Sequence, residues 1–115
     1  MKLITRTDAE EWAAWFRALA DPTRLQVLNA IAVFGPSLTI GELVSRVDVG
    51  QSTVSHHVRQ LVDAGYLLQE RKGTTTRVSV NPDCLADLPA ASRAILADDT
   101  NPPAPLSSRH GALRG

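Results

Sequence analysis

Ser52, Ser55, His56 and Arg59, in the run QSTVSHHVRQLVDAG, are side chains of the types that recognise nucleic acid. If the run is helical, Val54, Val58, Leu61 and Gly65 fall on one apolar stripe and these four project from other faces. Hydroxyls, an imidazole and a guanidinium are the groups needed to read base edges and hold phosphates in a major groove. Gln51 and Thr53 complete this candidate set at the start of the same helix. A second cationic group lies further along, Arg71, Lys72 and Arg77, with three threonines between. Serines and histidines also solvate ordinary surface helices, so the elements on either side decide between the two readings.

On the N-terminal side, Thr39 and Glu42 have the spacing of a capping box, which predicts a short helix starting at Ile40. Asp48-Val49-Gly50 breaks it with turn-forming residues, and the next helix begins near Gln51–Ser52. That is a helix-turn-helix pattern. Gly65 suits the left-handed position after a helix. YLLQERK and TTRVSV then form two β-prone runs around Gly73-Thr74, the pattern of a hairpin whose tip would carry Arg71, Lys72 and Arg77.

A helix-turn-helix joined directly to a basic hairpin resembles the ArsR/SmtB family of winged helix-turn-helix bacterial transcriptional regulators. LADPTRLQVLNAI, QSTVSHHVRQLVDAGYL and RKGTTTRVSVNP carry the resemblance, which spans about Trp12 to Leu96. It implies a mainly α fold with a small β-hairpin, in the order α-α-α-α-β-β-α, assembled as a homodimer. The implied function is a repressor that binds a pseudo-palindromic, double-stranded DNA operator. Gln51, Ser52, Thr53, Ser55 and His56 would contact bases or nearby phosphates, and Arg59, Arg71, Lys72 and Arg77 the backbone. A rival reading keeps the winged fold as a protein-interaction module, or as a DNA binder whose signal is sensed by a separate partner protein.

The remaining helices are set by caps and spacing. Thr7 or Asp8 is expected to cap a first helix bearing Trp12, Trp15, Phe16 and Leu19. So much aromatic surface on one helix favours a dimer interface over simple core, and the resemblance pairs the first and last helices of two subunits. Asp21-Pro22 caps and starts a second helix whose Leu25, Val27, Leu28, Ile31 and Ala32 suit the centre of the domain, and Phe34-Gly35-Pro36 ends it. Arg24, in that buried setting, reads as structural. Asn81-Pro82 repeats the cap-then-proline signal, and Pro89 is expected to divide the last apolar-periodic segment into a helical turn, 82–88, and a dimer-forming helix, 89–97. Leu88, Ile95 and Leu96 would join the interface.

At 115 residues the chain reads as one domain, 1–97, with a Pro-, Ser- and Gly-rich tail, 98–115, expected to be disordered. Twelve Lys and Arg balance twelve Asp and Glu, so any pull toward DNA must be local; between Gln51 and Val80 four cations face two acids. No signal segment or membrane-spanning run is apparent, which predicts a cytoplasmic protein with no membrane partner. No nucleophile sits in a patterned His/Asp set and no glycine loop cradles phosphate, so an enzyme is not expected.

The resemblance also raises metal sensing. The family's thiolate pattern would need cysteines in or beside SLTIGELVSRVD, and its other pattern would need His and acidic residues in PAASRAIL; neither is present. The single cysteine, Cys84, with nearby acids and His110 from the tail, is the residual candidate for a transition metal such as Ni or Zn. Against it stands Cys84 as a small buried core residue. His56 and His57 point about 100° apart on a helix, a poor geometry for one ion, so DNA contact is assigned to His56 and packing or a flank role to His57.

Overall fold

The computed structural model describes residues 3–98. Along these the chain forms α1 (Arg6–Arg17), α2 (Pro22–Phe34), β1 (Leu38–Thr39), α3 (Ile40–Val44), α4 (Gln51–Asp63), β2 (Leu67–Lys72), β3 (Thr75–Val80) and α5 (Asp83–Ile95). The strands make an antiparallel sheet in the order β1-β3-β2. This is a helix-turn-helix, α3–α4, followed by a wing. Residues 99–115, and with them His110 and the expected disordered tail apart from Asp98, lie outside the described residues.

Local chemistry accounts for most boundaries. Asp21 Oδ1 accepts the Arg24 N–H at 2.9 Å, with Pro22 opening α2 where its missing N–H costs nothing. In the capping box of α3, the Glu42 N–H donates to Thr39 Oγ1 at 3.1 Å and the Thr39 N–H to Glu42 Oε1 at 2.8 Å. Gly35 ends α2 as its ψ turns to −168°, and the position demands glycine because a Cβ there would meet the Ile31 carbonyl oxygen at 2.7 Å. Gly73, at φ +64°, turns the hairpin between the paired residues Lys72 and Thr75.

Three expectations about the elements themselves change. Thr5, not Thr7 or Asp8, caps α1, its hydroxyl accepting the Asp8 N–H at 3.0 Å. The wing is three-stranded rather than a bare hairpin, because Leu38 and Thr39 pair with Val78 and Arg77. Pro89 does not divide the last helix: α5 runs through it as one element. Proline at 89 denies an N–H to the carbonyl four residues back, that of Leu85, so the helix continues with one backbone bond fewer.

The core gathers Val27, Ile31, Leu43, Val54, Leu61, Tyr66, Leu67 and Val78, all essentially inaccessible. Burying a side chain of this size contributes roughly 1.5–3 kcal/mol. Leu25, expected in this centre, is exposed at the outer face of α2, as is Ala32. The tryptophans expected at a dimer face also belong to the protomer's own core. Trp12 and Trp15 are 5% and 6% exposed, and Trp15 stacks on Tyr66 with centroids 4.8 Å apart and planes 3° from parallel. Tyr66 Oη donates to the Trp15 carbonyl at 2.8 Å, so α1 is anchored to the turn after α4 by both stacking and a buried hydrogen bond. Buried Asn81 closes the same corner: its Nδ2 donates to the Gly65 carbonyl at 3.0 Å, and its Oδ1 accepts the Asp83 N–H at 3.1 Å.

Candidate nucleic-acid interface

Helix α4 has two faces. Val54, Val58 and Leu61 lie inward with His57, and Gln51, Ser52, Thr53, His56 and Arg59 are exposed, with Ser55 half-buried between. Gly50 caps the helix without a side-chain acceptor, so its first-turn N–H groups remain open to an acceptor from outside. All six polar residues of the expected reading set therefore share one accessible end and flank of one rigid helix.

The two adjacent histidines separate as their helical angle requires. His56 is exposed. His57 is 8% exposed, and its Nδ1 accepts a hydrogen bond from Arg24 Nε at 3.3 Å. The same guanidinium donates through Nη1 to the Ala18 carbonyl at 3.0 Å. Arg24 is thus structural, as its buried helix implied, but its imidazole partner lies 33 residues away and was not apparent from the sequence. Asp21 is held below the usual carboxylate range, chiefly by the Arg24 backbone N–H and further by the nearby Arg24 charge.

The wing separates its cations in the same way. Arg71 and Lys72 are exposed beside the turn, Arg71 Nε donating to the Gly73 carbonyl at 3.2 Å and Lys72 Nζ lying 3.4 Å from Glu70. Arg77 departs from its expected position at the tip. It lies in the central strand opposite Glu70 and Thr39, donates through Nε to Ser37 Oγ at 3.0 Å and through Nη2 to the Ser37 carbonyl at 3.1 Å, and approaches Glu42 at 3.6 Å. Through these contacts Arg77 braces the wing against β1 and α3. Glu42 is held below its ordinary range first by the Thr39 backbone N–H, with Arg77 adding a smaller effect. Ser37 was missed because nothing in its local sequence marks it as a partner for a residue 40 positions on. Arg46 was also missed; its guanidinium lies 4.3 Å from the Phe34 ring centroid, a cation–π contact at the edge of the helix-turn-helix.

Among the described residues the metal candidates do not assemble, and His110 lies outside them. Cys84 is 5% exposed and its thiol donates to the Gly65 carbonyl at 3.5 Å. Burial, and then the charges of Asp87 and Asp83, push its pKa up to about 12, which disfavours the thiolate a metal would need. Among the described residues no three His, Cys, Asp or Glu side chains come together as a metal site. Nor is any helix among them long and apolar enough to cross a membrane.

Comparison with known proteins places this geometry. Residues 21–68, from the α2 cap into the wing, match the model for bacterial regulatory proteins of the arsR family. The chain is 40% identical over 93 residues to a probable mercury resistance operon repressor of Streptomyces lividans, spanning 81% of this chain and 73% of that protein. It is 31% identical over 72 residues to the transcriptional repressor SdpR of Bacillus subtilis, spanning 63% and 78% of the two chains. The crystal structure of the AntR antimony-specific transcriptional repressor matches with a TM-score of 0.67 and 26% identity, over 85% of this chain and 87% of that one.

Proposed function

The chain belongs to the arsR family of bacterial regulatory proteins and is a DNA-binding transcriptional regulator, and on that premise we propose that it is a homodimeric repressor of a pseudo-palindromic operator. The observation that carries this is the sorting of α4: an apolar inner face seats the helix, and Gln51, Ser52, Thr53, Ser55, His56 and Arg59 are left for DNA. Arg71 and Lys72 at the wing tip take the neighbouring phosphates, and Arg77 holds the wing in place.

Support for the dimer comes from the two terminal elements. Leu3 and Ile4 before α1, and Leu85, Ile95 and Leu96 in and after α5, are large apolar side chains exposed on a single chain. Ile95 and Leu96 keep their expected interface role; Phe16, Leu19 and Leu88 are only half-buried, packed against their own core, and can contribute their outer edges. A second copy would cover this surface and set two reading helices one helical turn of DNA apart. Joint replacement of Ile95 and Leu96 by glutamate is expected to yield monomers in sedimentation velocity.

The residues present do not fit a Ni or Zn site, because the one cysteine is a protonated core group and no ligand cluster forms among the described residues. We infer a small molecule or a separate partner protein as the signal, and no step is assigned to a metal.

The test is fluorescence anisotropy on duplexes enriched by the protein from a random pool, against scrambled controls, across salt. Joint replacement of Ser55 and His56 by alanine is expected to remove roughly 1–3 kcal/mol of discrimination for each base that either side chain reads. Unchanged discrimination would reject the assignment, and failure of the wild-type protein to enrich any sequence would favour an interaction module instead.

A further inference from the structure

The Arg24 guanidinium is shared between two elements: the C-terminal turn of α1, through the Ala18 carbonyl, and α4, through His57 Nδ1. Ala18 caps α1, so its carbonyl is one of the orphan acceptors a helix end must satisfy. His57 is buried and directly follows His56 in the reading set. Because Nδ1 accepts, the ring carries its proton on Nε2, and the bond fixes tautomer and ring orientation together.

The buried side chains that seat α4 beside His57 are apolar. Val54, Val58 and Leu61 drive the helix onto the core, but area burial is non-directional and tolerates a small roll of the helix about its own axis. A hydrogen bond from a planar guanidinium to one imidazole nitrogen does not. Since Ser55, His56 and Arg59 are fixed to the helix, its roll decides where they point.

We propose that Arg24 and His57 are positioning residues for DNA reading: their hydrogen bond selects the roll of α4, and the bond from the same guanidinium to Ala18 ties it to the C-terminal turn of α1. The proposal rests on the assignment of α4 as the reading helix and adds to it the residues that aim it. It also supplies a physical link by which displacement of α1 would alter base contacts.

The experiment compares His57→Leu, which keeps bulk and removes the acceptor, with His57→Gln, which restores an acceptor, and with Arg24→Lys, which keeps the charge and loses the planar fork. Each full-length variant is measured on the enriched duplex and its scrambled control at several salt concentrations, with thermal unfolding alongside. His57→Leu and Arg24→Lys are each expected to lose about tenfold in operator preference, as for one or two directional hydrogen bonds. Scrambled-DNA affinity and salt slope should stay at wild-type values, because every phosphate-binding side chain is retained. His57→Gln should recover most of the preference, and the double variant should be no worse than either single change.

Wild-type preference in a folded His57→Leu protein would overturn the proposal, as would additive losses or a Gln variant as impaired as Leu. If His57→Leu does not fold, Arg24→Lys and His57→Gln decide the matter by the same measures. Failure of the reading-helix assignment looks different: the wild-type protein itself would not discriminate.

Discussion

The tip and the root of the wing carry the same kinds of side chain to different ends. At the tip, Arg71, Lys72, Thr74 and Thr75 are exposed around Gly73. At the root, Leu67 and Val78 are core residues, and Arg77 is held by Ser37 beside Glu42. The same division runs through α4, where His56 faces outward and His57 is bonded to Arg24. A cation in a DNA-binding domain is therefore not by its charge alone a DNA contact. One held half-buried by acceptors on neighbouring elements determines geometry, and one that stays exposed, as Arg71 and Lys72 do beside Gly73 and Glu70 of their own hairpin, is available to phosphate.

The root should be the costlier region to damage. Leu67→Ala, which empties a site 1% exposed, is expected to lower unfolding free energy by about 2–5 kcal/mol in a urea titration. A loss well under that range would mean the root is not part of the cooperative core. At the tip, joint replacement of Arg71 and Lys72 by alanine should leave folding intact and reduce the slope of log K against log salt by about 3.6, two phosphates' worth from each subunit of the dimer. An unchanged slope would remove both residues from the interface.

Arg77→Ala sharpens the contrast, because its two hydrogen bonds to Ser37 are worth about 0.5–1.5 kcal/mol each. It should weaken operator binding through a looser wing while the salt slope holds; a slope reduced by about 1.8, one phosphate from each subunit, would instead return Arg77 to the phosphates. A smaller effect is expected where α5 ends. Ala97 sits at φ +60°, with the Asp98 N–H closing onto the Arg93 carbonyl at 2.8 Å, a geometry that favours glycine. Ala97→Gly should stabilise the fold by up to about 1 kcal/mol, read as a rise in Tm. The smallest effect is none at all: Cys84 in the native protein at pH 8 should resist iodoacetamide, its thiol pKa being pushed up to about 12, and should react once urea exposes it. Rapid native labelling would show the site to be open.

The capping box at Thr39, the Asp21-Pro22 start, the turn glycine Gly73 and the apolar stripe of α4 were all legible in the sequence, because each is decided by neighbours within about one helical turn or one hairpin. The exposed reading set was legible for the same reason: once one face of a helix is apolar, the other is committed to whatever lies outside. Composition also established that a neutral chain must bind DNA through a local surface.

Tertiary structure decided the rest. Trp12 and Trp15 read as interface more than as core, and only the tertiary structure, with both buried and Tyr66 stacked on Trp15, consigned them to the core. β1 is two residues long and acquires its conformation from pairing with β3, so no local pattern announces it. Arg24 and Arg77 found their acceptors 33 and 40 residues away. A side chain's type states which bonds it can make, but which of them it makes depends on what long-range packing brings within about 3 Å.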